Sequence, residues 1–327
     1  MTGMTALTTA TGPAATRILG TGSYQPDKVV TNDDLAKVMD TNDQWIRDRV
    51  GIIERRAAGP EEHVVDMAAK AGAKAIADAG LTAADLDTVV VATCTMPTQI
   101  PNASARVADM LGIKGAGAFD VNAACAGFCY AVGTASDLVR AGSSGKVLVI
   151  GAEKFTGWVD PTDRGNAIIF ADGAGAVVVG GSEEPAIGPV AWGSAGDLAD
   201  LIYMRDEKWI FQEGQAVFRW ATSQVAPIAL RALELTGLKP SDVDVLIPHQ
   251  ANLRIVGAIA KKLRSEGARE DMVVADDIMY SGNTSSASIP MALDHMRAAG
   301  RVRSGDVLLL VGFGAGLSYA SQVVISP

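Results

Sequence analysis

An internal repeat is the feature of this 327-residue sequence that most restricts its fold. Segments 74–89 and 231–246 share one order of residue types: a helix-like stretch, Gly-Leu, two aspartates and an apolar run. Gly80 and Gly237 lie 157 positions apart, and the aspartates that follow them keep this offset. Each segment has the pattern of a helix that ends at glycine, a turn and a strand. Because the order and offset agree, the repeat predicts a duplicated α/β unit.

Strands and helices are predicted to alternate in both halves of the chain. Short apolar runs bounded by Gly, Asp and Ser are typical of buried strands, and alanine-rich stretches between them are typical of helices. Segments 144–151 and 304–311 are also alike, at an offset of 160. We therefore expect an α/β protein with one half over residues 17–180 and a second over 181–327. Residues 1–16, rich in Thr, Ala and Gly, are predicted to form a disordered tail.

The composition argues against several classes of protein. Hydrophobic residues make up 48% and charged residues 20%, as in soluble globular proteins. The net charge of −9 argues against general nucleic-acid binding. The apolar runs are too short to span a bilayer, and the first residues lack the pattern of a secretory signal. Three cysteines without metal-ligand spacing argue against a disulfide framework. We expect a soluble cytoplasmic protein without a metal site.

Cys125 is the first candidate for chemistry. An apolar strand is expected to end near Val121, and an alanine-rich helix is expected to begin near Ala126. A thiol at a helix N-terminus should have a lowered pKa and a higher thiolate fraction. The alternative is a buried core cysteine, and position alone does not separate the two interpretations. Cys94 and Cys129 are interpreted as core residues.

His249 and Asn283 are two further candidates. His249 follows an apolar strand and precedes polar residues, and α/β proteins build their sites at the carboxyl ends of strands. Asn283 lies in a small, polar, turn-forming run, and by itself it could be a helix cap. Asp120 and Asp277, which precede Cys125 and Asn283, are again 157 positions apart. The repeat therefore predicts that the loops carrying Cys125 and Asn283 are equivalent and face each other.

Seven motifs, taken in order, resemble those of the β-ketoacyl-acyl-carrier-protein synthase III family of the thiolase superfamily. These motifs occupy residues 43–52, 122–128, 163–165, 172–176, 249–255, 282–285 and 313–316. The similarity runs from about Arg17 to the C-terminus. It implies a thiolase fold, with two pseudo-symmetric halves, each with a mixed sheet, in α-β-α-β-α layers, and a homodimer. A thiolase proper would carry a second catalytic cysteine in the terminal glycine-rich segment, and this chain has none there.

The resemblance implies an acyltransferase that works in two stages. Cys125 would take a short acyl group, acetyl or branched, from acyl-CoA as a thioester. Malonyl-acyl-carrier protein would then lose CO₂, with His249 and Asn283 stabilising the enolate, and a 3-oxoacyl-carrier protein would form to initiate fatty-acid synthesis. Backbone N–H groups of Cys125 and of the Ala315–Gly316 turn would hold the oxyanion. Acyl-CoA would be a substrate, and no permanently bound cofactor is implied.

The resemblance also implies binding sites. Trp45 would stack on the CoA adenine, with two arginines near the phosphates. The CoA site would comprise Thr41, Trp45, Arg49, Arg164, Gly214 and Asn252. The carrier-protein site would comprise Gln250, Arg254, Lys261 and Lys262, for which an ordinary solvated helix face is the alternative. Ile100 matches a position at which the family's dimer partner closes the acyl pocket, and an aliphatic residue there would admit branched acyl groups.

Two other functions are kept as alternatives. Segment 193–214, which would help to line the acyl pocket, is predicted to be shorter than in many members of the family, so acyl preference and acceptor are open. One alternative is therefore a starter-unit ketosynthase or acyltransferase of specialised (polyketide) metabolism that uses the same acyl-Cys125 intermediate. The other is a protein that binds CoA or carrier without turnover, against which the set Cys125, His249 and Asn283 argues.

Overall fold

The computed structural model describes residues 9–327, and two five-stranded sheets organise it. The strands are β1 (Ala15–Tyr24), β2 (Val29–Thr31), β3 (Glu54–Arg56), β4 (Thr88–Ala92), β5 (Gly117–Val121), β6 (Lys146–Lys154), β7 (Asp172–Ser182), β8 (Ala191–Ser194), β9 (Ile202–Arg205), β10 (Trp209–Gln212), β11 (Val245–Pro248), β12 (Val273–Val274), β13 (Val307–Phe313) and β14 (Ser318–Ile325). The α-helices are α1 (Asn32–Ala36), α2 (Asp43–Val50), α3 (Val64–Asp78), α4 (Ala103–Met110), α5 (Gly127–Arg140), α6 (Arg164–Ala167), α7 (Gly214–Thr236), α8 (Leu253–Ser265), α9 (Ile278–Ser281) and α10 (Ser288–Ala298).

The two main sheets have the same strand order and the same strand directions. The first sheet has the order β1-β7-β6-β4-β5, and the second, read from its β8 edge, has the order β8-β14-β13-β11-β12. In each sheet the second strand is antiparallel to both neighbours, and the remaining pairs are parallel. This correspondence confirms the duplicated α/β unit that the repeat predicts.

Helices and sheets form five layers. Helices α5 and α10 lie between the two sheets, where Phe128 and Leu293 are completely buried among residues of both. Helices α3 and α4 cover the outer face of the first sheet, and α7 and α8 cover the outer face of the second. In the part of the chain that the structure describes, no helix combines the length and hydrophobicity that a membrane crossing requires.

Strand β1 begins inside the segment that was predicted to be a disordered tail. Ala15 and Thr16 are the first residues of β1, which pairs with β7, and the Gly12 N–H donates to the carbonyl of the last residue of α5. The prediction of disorder over residues 1–16 is wrong for these residues, because backbone hydrogen bonds hold them against the first half. Residues 1–8, which that prediction also included, lie outside the described part of the chain.

Two glycines let the N-terminal turn of α10 rest directly on the backbone of the first sheet. A Cβ on Gly151 of β6 would lie 2.4 Å from the Ser286 carbonyl oxygen, and one on Gly175 of β7 would lie 2.5 Å from the Met291 nitrogen. Both contacts are with backbone, which cannot rotate away as a side chain can. The absence of side chains at these positions therefore sets how closely the second half approaches the first.

We predict that Gly151→Ala lowers the melting temperature, because the added methyl group overlaps the Ser286 carbonyl. Overpacking of this kind costs about 1–3 kcal/mol. Gly257→Ala is the matched control, because Gly257 lies inside α8 with open space around its Cα. That change should leave the stability unchanged or raise it by up to about 1 kcal/mol. Differential scanning calorimetry would measure the melting temperatures of both variants. Equal melting temperatures for Gly151→Ala and Gly257→Ala would contradict the prediction.

Candidate active site

A cavity of about 740 Å³ receives residues from both halves of the chain. It opens at the carboxyl ends of β5, β11 and β13, where parallel strands of α/β proteins place their sites. Cys125, His249, Asn283 and Ala315 all contribute to its wall. The structure thus brings together the three candidate residues of the sequence analysis, and the second half supplies two of them.

Cys125 lies in a single 3₁₀ turn, Ala124–Ala126, between β5 and α5. The backbone of Gly314 packs against it, and a Cβ on Gly314 would lie 2.8 Å from the Cys125 Cβ and 3.1 Å from its Sγ. Only glycine leaves room at this point. As a result, the chain that continues to Ala315 runs beside the thiol, where a backbone N–H could meet a substrate oxygen.

The Cys125 thiol is less acidic than its position at the start of α5 predicts. Burial raises its pKa to about 12, and the negative charge of Glu153 acts in the same direction. A hydrogen bond with Ser285 opposes these effects without cancelling them. The predicted lowering of this pKa is wrong, because the cost of removing the thiolate from water outweighs the attraction of the helix N-terminus.

His249 is held as a neutral imidazole at the end of β11. The backbone N–H of His249 donates to the Val311 carbonyl at 2.8 Å. The ring Nδ1 lies 2.7 Å from the Ser288 Oγ. Burial lowers its pKa to about 3. Since Ser288 occupies Nδ1, Nε2 is the nitrogen left for a ligand. The serine hydroxyl can donate or accept, so it satisfies Nδ1 in either tautomer.

Asn283 is fixed by hydrogen bonds at both its backbone and its side chain. Its N–H donates to Ile169, and its carbonyl accepts from the Ala171 N–H, both at 2.9 Å. The Asn283 Oδ1 accepts from the Ser285 N–H at 2.8 Å. This side-chain contact leaves the two Nδ2 protons for a ligand in the cavity.

The loops carrying Cys125 and Asn283 are equivalent, as the repeat predicts. Asn122 Oδ1 accepts from the Ala124 N–H at 3.3 Å, in the same turn that Asn283 makes with Ser285. Ala124 and Ser285 both have positive φ, 45° and 50°. In detail, therefore, Asn283 corresponds to Asn122 rather than to Cys125 itself.

Most of the residues predicted to bind CoA lie in one cluster. The guanidinium carbons of Arg164 and Arg49 are 4.5 and 5.4 Å from the centroid of the Trp45 ring. Asn252 Nδ2 donates to the Arg49 carbonyl, and its neighbour Ala251 lines the cavity. This cluster therefore adjoins the cavity and presents two cations and an aromatic ring.

The remaining predicted CoA residues are spread around this cluster. Thr41 follows Asp40, whose carbonyl accepts from the Arg164 guanidinium at 2.8 Å, and the Thr41 hydroxyl is buried and has no hydrogen-bond partner among residues 9–327. Gly214 is the exposed first residue of α7, outside the cavity wall, whereas Val217 of the same helix lines it.

Helix α8 presents three of the four residues predicted to bind a carrier protein. Arg254, Lys261 and Lys262 are exposed, and Lys262 pairs with Glu266. Gln250 is 1% exposed, and its amide bonds the Pro248 carbonyl and the Ile278 N–H. The Gln250 side chain therefore lies inside the protein, where it holds β11 and α9 together, and not on the exposed face of α8 with the other three residues.

Two other predicted residues lie outside the cavity of the single chain. Ile100 is 89% exposed and does not contribute to the cavity wall. Gly316, with φ of 72°, follows Ala315, which does line the cavity. Of the two residues in the predicted oxyanion turn, Ala315 is therefore the one with direct access.

Sequence reasoning missed three residues of the site. Cys94 lines the cavity as well as packing against the core, Ser288 holds His249, and Glu153 is buried and bonds Ser285 on the loop of Asn283. Glu153 had a signal in the sequence, because it is an acidic residue inside the apolar run of β6. The core assignment of Cys94 holds in part, because Cys94 packs against the buried cluster of Phe155 and Phe170 and also lines the cavity.

Two family models match this chain. The model described as 3-oxoacyl-[acyl-carrier-protein (ACP)] synthase III matches residues 119–196, and the model for its C-terminal part matches residues 233–325. Among similar proteins, β-ketoacyl-[acyl-carrier-protein] synthase III 4 of Streptomyces coelicolor is 50% identical and the alignment covers 95% of this chain and 98% of that protein. The mycobacterial β-ketoacyl-[acyl-carrier-protein] synthase III of Mycobacterium avium is 47% identical, with 99% of each chain covered.

Solved structures agree with these similarities over nearly the whole chain. The priming β-ketosynthase of the R1128 polyketide pathway superposes with a TM-score of 0.94 at 40% identity, covering 99% of each chain. The 3-oxoacyl-[acyl-carrier-protein] synthase III of Aquifex aeolicus superposes with a TM-score of 0.91 at 40% identity, covering 95% of this chain and 100% of that one.

The raised pKa of Cys125 predicts how its alkylation depends on pH. Because only the thiolate reacts, the rate with iodoacetamide should rise about tenfold per pH unit from pH 6 to 9 without levelling off. Mass spectrometry of the modified peptide follows Cys125 directly, and Cys125→Ala reports the background from the other thiols. A plateau near neutral pH would mean that the start of α5 lowers the pKa after all.

Proposed function

Because this chain belongs to the β-ketoacyl-acyl-carrier-protein synthase III family, we propose that Cys125, His249 and Asn283 carry out the family's condensation in it. The protein is an acyltransferase of the thiolase fold, and the predicted fold and enzyme class are confirmed. The reaction joins a short acyl group from acyl-CoA to malonyl-acyl-carrier protein, releases CO₂ and initiates fatty-acid synthesis. The observation that carries the proposal is the meeting of a thiol, a neutral imidazole and a free carboxamide N–H₂ in one cavity.

In the first stage the Cys125 sulfur attacks the acyl-CoA carbonyl. The C–S bond to CoA breaks, the acyl group stays on Cys125, and the thiol proton ends on the CoA sulfur. The backbone N–H groups of Cys125 and Ala315 would stabilise the oxyanion, and the close packing of Gly314 on Cys125 supports this assignment. Because the resting thiol is protonated, proton transfer must accompany the attack. His249 Nε2 can accept that proton when Ser288 accepts from Nδ1–H.

In the second stage the malonyl group loses CO₂, and the electron pair of the broken C–C bond forms an enolate. In the other tautomer of neutral His249, in which the Ser288 hydroxyl donates to Nδ1 and the proton is on Nε2, His249 Nε2–H and Asn283 Nδ2–H donate to the thioester oxygen on which the negative charge develops. The enolate carbon then attacks the acyl-Cys125 carbonyl, and Cys125 leaves as the thiolate and takes up a proton. Decarboxylation supplies the carbanion, so we expect neither a carboxylate base nor a bound cofactor.

The cluster around Trp45 supports binding of the CoA nucleotide. Arg49 and Arg164 lie beside the ring and can meet phosphate charges, while Trp45 offers a face to the adenine. A pantetheine arm entering next to Ala251 would lead from this cluster to Cys125. Binding energy collected there would help to place the thioester for attack.

We assign carrier docking to the exposed cations of α8. Carrier proteins of this kind are acidic, and with a net charge of −9 this enzyme needs a local positive surface to attract one. Arg254 packs over the Phe218 ring at 5.0 Å and begins the helix that adjoins the cavity. Lys261 lies further along the same exposed side of the helix.

We further propose a cytoplasmic homodimer in which the β5 edges of two chains meet. Strand β5 is an outer strand of its sheet and is only partly covered. Near it, the exposed Ile100 (89%) and Met110 (50%) provide apolar surface that a second copy would bury. In such a dimer Ile100 could reach the acyl cavity of the partner. The likeness to a priming ketosynthase of polyketide synthesis does not favour that alternative, because the 3-oxoacyl-[acyl-carrier-protein] synthase III of Aquifex aeolicus has the same 40% identity and that of Streptomyces coelicolor is 50% identical.

Two variants should separate the stages of the reaction. Intact-mass spectrometry would measure acylation of the enzyme by acetyl- and isobutyryl-CoA, and then conversion of malonyl-carrier protein. Cys125→Ala should abolish acylation. Asn283→Ala should still become acylated but lose about 100- to 1,000-fold in decarboxylation, because one donor to the enolate oxygen is gone. Wild-type enzyme that is acylated while the malonyl carrier stays unchanged would overturn the condensation and indicate another acyl acceptor.

Charge reversal at Lys261 should weaken carrier binding without affecting acylation by CoA. We expect Lys261→Glu to raise the KM for malonyl-carrier protein roughly threefold to tenfold, with the effect fading at high salt. The control is Lys239→Glu, an equal charge change at an exposed position before the amino end of β11, opposite the site. Equal KM values for the two variants would show that α8 does not dock the carrier.

A further inference from the structure

Glu153 is a completely buried carboxylate that has no positively charged partner among residues 9–327. It stands near the end of β6, and seven donor groups surround it. Its partners are the Thr93 hydroxyl, the Cys94 N–H and thiol, the Thr95 N–H and hydroxyl, and the Ser285 and Ser286 hydroxyls. Burial raises the pKa of Glu153, and these hydrogen bonds oppose that effect. Burying a carboxylate without a cation lowers the free energy of unfolding, and the condensation described above does not use this group.

The partners of Glu153 come from both halves of the protein. Thr95 donates at 2.6 Å from the segment that follows β4, and Ser285 donates at 3.1 Å from the turn before α10. The Ser286 hydroxyl lies 2.7 Å from the same carboxylate and 2.8 Å from the Ala92 carbonyl. The Glu153 carboxylate therefore links the segment that follows β4 in the first half to the turn before α10 in the second half.

Ser285 connects this link to Asn283. The Ser285 N–H donates to Asn283 Oδ1 at 2.8 Å and so decides which way the Asn283 amide points. Ser285 has a φ of 50°, a conformation that non-glycine residues adopt only when their surroundings hold them. Its side chain is bound by Glu153, which lies directly behind it.

We propose that Glu153 is a positioning residue: by holding Ser285, it keeps the Asn283 carboxamide aimed at the thioester oxygen of the malonyl group. It touches no substrate and acts through Ser285. The inference rests on the proposed role of Asn283 in decarboxylation. A glutamine in its place keeps the size but offers one acceptor oxygen, and its N–H₂ group faces hydroxyls and N–H groups that also donate.

The test compares the two half-reactions in Glu153→Gln. Decarboxylation of malonyl-carrier protein should fall roughly 10- to 100-fold, because a displaced catalytic group loses alignment. Acylation of Cys125 by acetyl-CoA should stay unchanged or become faster, since the lost negative charge is one that raises the Cys125 pKa. Asp172→Asn is the matched control, because Asp172 is equally buried and its carboxylate bonds Thr156 and the Ala58 N–H instead of any residue of the turn Ser285–Ala287. It should slow neither half-reaction selectively.

A double-mutant cycle with Asn283→Ala separates positioning from general structural support. If Glu153 acts through Asn283, adding Glu153→Gln to Asn283→Ala should lower decarboxylation no further. Multiplied losses, or equal losses in both half-reactions, would overturn the proposal. If Glu153→Gln does not fold, Ser285→Ala breaks the same link and must lower decarboxylation more than acylation, which it affects only through the lost hydrogen bond to Cys125. If Asn283→Ala decarboxylates malonyl-carrier protein at the full rate, the proposed role of Asn283 is wrong. This result differs from those that overturn the role of Glu153, so the two failures can be told apart.

Discussion

The close approach of the turn Ser285–Ala287 to strand β6 fixes the geometry on which the cavity depends. Gly151 has no side chain, so the Ser286 carbonyl can rest where a Cβ would lie only 2.4 Å away. Two positions later on the same strand, Glu153 bonds the hydroxyls of this turn. Strand β6 of the first half therefore positions the loop of the second half that carries Asn283. Gly151 leaves room for this loop, and the Glu153 carboxylate bonds its hydroxyls.

The electrostatics of the site follow from its burial. The Cys125 thiol and the His249 imidazole are both neutral at rest, because burial raises the pKa of one and lowers the pKa of the other. Neutral donors in a cavity sheltered from water respond strongly to a negative charge that appears during reaction. The cations lie outside the cavity wall, where Arg49 and Arg164 are beside Trp45. The site thus separates binding of a charged substrate from chemistry on its uncharged thioester.

The sequence predicted most of the fold but fewer of the details of the site. The 157-residue offset predicted two equivalent units because each repeat contains a whole helix-turn-strand element, and the two sheets have that shared order. It did not identify Ser288 or Cys94, since their importance comes from neighbours far away in the chain. It also placed Gln250 at the surface, although its amide is used inside the protein between β11 and α9.

By itself the sequence determined the duplicated α/β architecture, the three candidate residues and the family, because local patterns and short motifs carry that information. Only the tertiary structure decided the protonation state of Cys125. A helix start predicts a low pKa from local geometry, but the cost of burying a thiolate depends on everything packed around it. The same holds for Glu153, whose seven donors come from segments up to 133 positions away. Such groups acquire their properties only when the two halves close on each other.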